Sequence, residues 1–136
     1  MKQRVQQAIR DKIVRHVRSR YELIKPAPTQ GLFNFRCFEN AVEYQRLNPN
    51  LEIFEVMGVD DGDPFLHYIN FDPEAGEFLE TSLGWRAETM EYYVIRPIHP
   101  SDYRYIHREF NRACDSWRDQ FTNWFHRKVL RIDRVV

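Results

Sequence analysis

The chain has 136 residues, 43% of them hydrophobic, with 20 basic and 20 acidic side chains and no net charge. That length fits one domain, residues 1–136, with a real core and little room for a second. No apolar run approaches the roughly 18–20 residues that span a bilayer, and Met1-Lys2-Gln3-Arg4 has no apolar segment behind its charges, so no membrane contact is expected and the expected address is cytoplasmic.

The neutral total hides a segregation. Residues 1–24 hold seven Lys or Arg against two acids, residues 37–94 hold thirteen acids against Arg46 and Arg86, and residues 102–136 hold eight basic side chains against five acids. Basic terminal helices packed beside an acidic centre explain this pattern. A basic face for nucleic acid or for an acidic protein is the sharper alternative.

Val5, Ile9, Ile13, Val17 and Tyr21 recur every four residues with Arg10, Lys12, Arg15 and Arg18 on other faces, which predicts an amphipathic helix over residues 3–23. Pro26 and Pro28 end it, and residues 25–34 read as an ordered loop. Ala41, Val42, Tyr44 and Leu47 suit a second helix from Cys37 to Leu47, stopped by Asn48-Pro49-Asn50. Four strands are expected at 51–59, 65–71, 77–82 and 91–98, with turns at Asp60-Asp61-Gly62-Asp63 and from Asp72 to Gly76. Consecutive strands joined by tight turns favour an antiparallel meander. Ser101 is a suitable N-cap for a long helix over 101–130, along which Tyr103, Ile106, Phe110, Ala113, Trp117, Phe121 and Trp124 form an apolar stripe able to cover the sheet. The expected fold is therefore α+β: N-terminal helices, a meander of about four strands around a core segment at 30–98, and a C-terminal helix packed on the sheet.

Two cysteines are too few for a disulfide framework. Cys114, mid-helix beside the apolar stripe, reads as structural. Cys37 opens its helix beside Arg36, and both the helix N-terminus and the neighbouring cation favour a thiolate; the alternative is a small buried hydrophobe between Phe35 and Phe38. His67 interrupts the apolar strand Phe65-Leu66-His67-Tyr68-Ile69, on the face opposite Leu66 and Tyr68. Buried there, it must hydrogen-bond to backbone, to Tyr44 or to Cys37. Glu80 on the next strand could hold its second ring nitrogen, with Glu77 and Asp72 as alternative acids. The acidic turn at 60–63 lacks calcium-loop spacing, and His99, His107 and His126 have no partners at metal spacing. No metal or cofactor is called for.

The segment Cys37-Phe38-Glu39-Asn40-Ala41, then Leu66-His67-Tyr68, then Gly76-Glu77-Phe78-Leu79-Glu80-Thr81-Ser82 resembles small bacterial and phage proteins of the papain-like and transglutaminase-like superfamily. The resemblance covers residues 30–98. It implies Cys37 as acyl-accepting nucleophile, His67 as its base and Glu80 as the orienting acid. Many papain-like members place a Gln before the Cys as an oxyanion donor, which makes Gln30, seven residues upstream, the corresponding candidate. The acid is more usually Asp or Asn, and Glu80, one methylene longer, requires a slightly wider strand geometry.

The residues together imply a cysteine-dependent hydrolase or acyltransferase acting on an amide or ester in a protein or peptide, with the acidic surround favouring a basic substrate. The alternative is a catalytically inactive phage-type accessory or inhibitor protein that binds a host protein. Nucleic-acid binding through Arg10, Arg15, Arg18, Arg104, Arg108 and Arg112 ranks below both because the net charge is zero. The aromatic stripe would also serve a homodimer.

Overall fold

In a computed structural model, residues 1–29 and 36–136 are described. Helix α1 (Lys2–Arg20) buries Ile9, Ile13, Val14 and Val17. It stops earlier than the apolar period implies. Tyr21 turns extended while its N–H still donates to the Val17 carbonyl, and Glu22–Ile24 becomes strand β1. Strand β2 (Ala27–Pro28) follows inside the segment expected to be a loop. Helix α2 (Cys37–Leu47) precedes β3 (Glu52–Asp60), β4 (Asp63–Asp72), β5 (Glu77–Glu80) and β6 (Glu91–Pro97).

The fold is mixed α and β with one six-stranded sheet, ordered β1-β6-β3-β4-β5-β2. This corrects the expectation of about four strands in a meander. Strands β3, β4 and β5 do form one, but β6 crosses over to pair antiparallel with β3. The 3₁₀ segment Gly84–Thr89 carries the chain across. The two additional strands are short edge pieces around Pro26. Proline favours extended backbone in the residue before it and is tolerated at a sheet edge. Pro28 pairs, in parallel, with Glu80.

Strands β1 and β2 lie at opposite edges of the sheet, yet only Lys25 and Pro26 separate them. Three Cα steps reach at most about 11 Å, whereas the edges of a flat six-stranded sheet would be about 24 Å apart. The sheet therefore curls until its edges approach. A register shift between Glu55 and Val56 against β6 adds local bend.

Curling gives the sheet two apolar faces. Outside, α1 and α3 (Ile106–Phe121) pack Ile13, Val17, Phe110 and Trp117 onto Ile53, Met57, Leu66 and Tyr68. Inside, Val56, Ile69, Tyr92 and Ala87 form a smaller core with Phe54 and Phe78. Gly58 lies on the inner face, in register with Phe65 on one side and Tyr92 on the other.

The expected helix over 101–130 is broken. Pro100–Tyr105 is a 3₁₀ turn capped by His99 rather than by Ser101. After α3, Asn123 caps a new helix, α4 (Trp124–Lys128), in a reciprocal capping box with His126. That restart swings Trp124 off the stripe, leaving it 65% exposed. The following residues Ile132, Val135 and Val136 enter the outer core.

A Cβ on residue 58 would overlap the Phe65 ring. Gly58→Ala is expected to displace that ring and lower the unfolding free energy by about 1–3 kcal/mol, measured by urea denaturation. Unchanged stability and an unchanged Phe65 environment would contradict the inner packing.

Candidate active site

Strand alternation places Phe65, His67 and Ile69 on the inner face of β4, and Phe78 and Glu80 on the inner face of β5. Both His67 and Glu80 are buried. His67 Nε2 lies 2.7 Å from Glu80 Oε2 and 3.0 Å from Oε1. The extra methylene of Glu80 does not prevent contact, because β4 and β5 are paired neighbours whose register sets His67 diagonally across from Glu80 on one face. Glu77 and Asp72 instead pair across the hairpin, and Asp72 Oδ1 accepts from the Glu74 and Ala75 amides. Tyr44 donates to Thr29 rather than to His67.

Glu80 collects further donors. Tyr92 Oη donates to Oε2 at 2.7 Å, and the Ser82 and Leu83 amides donate to Oε1 at 2.9 and 3.2 Å. The Tyr92 bond reaches from β6 to β5 across the barrel-like interior. The sequence carries only a slight signal for Tyr92: an aromatic alternating along a strand, whose hydroxyl gains meaning only once a buried carboxylate lies opposite.

Cys37 opens α2 and is 5% exposed. Its helix is tied to the sheet by Asn70 Nδ2 to the Ala41 carbonyl (2.9 Å) and by Asn40 Nδ2 to Ser82 Oγ (2.8 Å). The second tie ends on the turn whose amides hold Glu80. Cys37 and His67 line one cleft of about 610 Å³. With Nε2 engaged by Glu80, Nδ1 is the ring nitrogen left for the thiol. Gln30 lies outside the described residues.

Burial opposes a charge on His67, but the Glu80 carboxylate, together with the neighbouring Cys37 side chain, outweighs it and raises the imidazole to about 10. For Glu80, burial pushes the carboxyl up; the His67 charge and the bonds from His67, Tyr92 and Ser82 pull it below its ordinary range. The two groups therefore form an imidazolium–carboxylate pair. Cys114 is half-buried in α3, and burial raises its thiol. His107 stacks on Phe38, and no group of three metal-binding side chains occurs among the described residues.

Comparison with protein-family models, with curated proteins and with solved structures gave no match in any of the three. No helix among the described residues is long and apolar enough to cross a membrane.

His67 titrates higher in the fold than its ordinary 6.5, so its contribution to stability is complete below pH 6.5 and is lost as pH rises through about 10. Glu80 titrates lower than its ordinary 4.5, so its contribution is complete above that value and is lost as pH falls through the folded value. The unfolding free energy is expected to fall between pH 6.5 and 10. Glu80→Gln should flatten that slope and cost about 3–5 kcal/mol near neutrality by leaving His67 unpaired. Urea titrations across the range measure both, and a wild-type stability that rises with pH there would contradict the ion pair.

Proposed function

We propose that this protein is a cysteine-dependent acyl-transfer enzyme of papain-like or transglutaminase-like design, cleaving an amide or ester through Cys37, His67 and Glu80. The observation that carries this reading is the buried His67–Glu80 bond at 2.7 Å through Nε2, which fixes the ring beside the cleft it shares with Cys37. An acid that orients the imidazole from behind while the thiol meets its other side is the arrangement nucleophilic catalysis requires.

The Cys37 sulfur forms a bond to the carbonyl carbon. The oxyanion lies at the start of α2, where the N–H groups ahead of the first helical bond, from Asn40 to the Arg36 carbonyl, carry partial positive charge. As the C–N or C–O bond breaks, His67 gives its proton to the leaving group. Neutral His67 then takes a proton from water, the resulting hydroxide attacks the thioester, and the C–S bond breaks to return thiolate, imidazolium and the free acid. Glu80 stays ionised throughout. It holds the tautomer and offsets the imidazolium charge.

A second reading, an inactive accessory protein on the same scaffold that binds a host protein, is favoured by the burial of Cys37 and His67. Alkylation separates the two. In the enzyme, Cys37 should react with iodoacetamide at pH 6 at least about tenfold faster than an ordinary thiol of pKa about 8.5, and faster than Cys114. His67→Ala should abolish that advantage and Glu80→Ala should reduce it, as followed by site-resolved mass spectrometry. A Cys37 that reacts no faster than free cysteine, or not at all, removes the catalytic reading.

A further inference from the structure

We infer that the cleft selects an acyl donor whose acyl group is aromatic and carries a carboxylate at its far end, an inference that rests on the acyl-transfer reading above. The wall around Cys37 and His67 includes Phe38, Phe65, Leu66 and Phe110. These rings are fixed by their neighbours: Phe38 is stacked on His107 at 5.2 Å, Phe110 sits edge-on to Tyr68 at 5.2 Å, and Phe65 meets His67 at 5.5 Å. A flat apolar group entering such a wall gains edge and face contacts without reordering it. The volume of about 610 Å³ admits a ligand well beyond an acetyl group.

The charge of the wall differs from that of the acidic segment around it. Asp60 is its one carboxylate among the described residues, in a lining that also holds Arg86 and Arg134. Arg86 donates to Asp60 at 2.7 Å. Asp63, at the other end of the same turn, is drawn to Arg10 of α1 at 3.5 Å. Arg134 donates its Nε hydrogen to the Val136 oxygen at 2.7 Å, and its Nη hydrogens have no hydrogen-bond or ion-pair partner among the described residues. Its terminal nitrogens are thus the cationic donors left to a ligand, and a carboxylate takes them in a charge-assisted bond. Of the acids that led to an expectation of a basic substrate, Asp60 and Asp63, at the two ends of the turn beside the cleft, are engaged by this protein's own arginines.

Four 4-nitrophenyl esters test this: acetate, 3-phenylpropanoate, 3-(4-carboxyphenyl)propanoate and 3-(4-aminomethylphenyl)propanoate. In each, the Cys37 sulfur bonds to the carbonyl carbon, the ester C–O bond breaks, and nitrophenol departs with the His67 proton, leaving a thioester detectable by intact mass. Water then gives a proton to His67 and hydroxide to the acyl carbon, freeing the acid and the thiolate. The phenylpropanoate should acylate faster than the acetate, and the carboxyphenyl ester about tenfold faster than the phenyl ester, as expected of one charge-assisted contact. The aminomethyl ester should be the slowest aromatic donor. Arg134→Gln, a change at an exposed side chain, and 1 M salt should each erase the carboxylate advantage, bringing the carboxyphenyl ester down to the rate of the phenylpropanoate under the same condition. Adducts on Cys37 at equal rates for all four esters, or fastest for the amine, overturn the substrate inference and leave the triad standing. An absence of adducts from every ester, matching Cys37→Ala, overturns both.

Discussion

A carboxylate sealed inside a curled sheet governs this structure. Glu80 is 0% exposed, and an ion so buried costs several kcal/mol unless compensated. Compensation comes from the His67 ring on β4, the Tyr92 hydroxyl on β6, and the Ser82 and Leu83 amides just beyond β5. Its carbonyl oxygen also accepts from both the amide and the hydroxyl of Thr29, which anchors the end of β2. One residue thereby joins β2, β4, β5 and β6. The curl that lets two edge strands be linked by Lys25 and Pro26 also brings the Tyr92 hydroxyl of β6 within reach.

Charge segregation along the chain is resolved in part within the fold. Arg10 and Arg18 of α1 reach Asp63 and Glu91, Arg86 reaches Asp60, and Arg96 lies between Glu55 and Glu109. The exposed pairs among these contribute little stability individually. Their larger effect is on the field, since they quench the acidic middle segment where it borders the cleft. Glu55 differs because it is buried under α3. Desolvation raises its carboxyl, Arg96 opposes that shift, and Trp117 Nε1 donates to it at 3.4 Å. It marks the outer core as Glu80 marks the inner one, each buried acid having a cation beside it.

Much of the local structure was legible because it follows from short-range rules. The period of α1, the start of α2 at Cys37, the Asp61-Gly62 turn with positive φ at both residues and the strand alternation of β4 are each set by neighbours a few residues apart. That alternation set His67 on one face with Phe65 and Ile69, opposite Leu66 and Tyr68; that this face is the inner one was decided by the curl of the sheet. The breaks were harder. Asn123 stops a helix whose apolar stripe continues to Trp124, because a side-chain cap competes locally with the i→i+4 pattern, and periodicity contains no term for that competition.

Residue types and spacing determined that a thiol would head a helix, that an imidazole would lie within an apolar strand, and that a carboxylate would stand on the strand after it. Only the tertiary structure decided that these share an environment. Pairing of β6 with β3 rather than with β5, together with the closure forced at Lys25-Pro26, is a long-range choice that chain-local propensities do not encode. Tyr92 acquires its partner through that choice, whereas His67 meets Glu80 across the β4–β5 hairpin itself. The bond from β6 is decided by which strands face one another, and curvature, not sequence order, sets that.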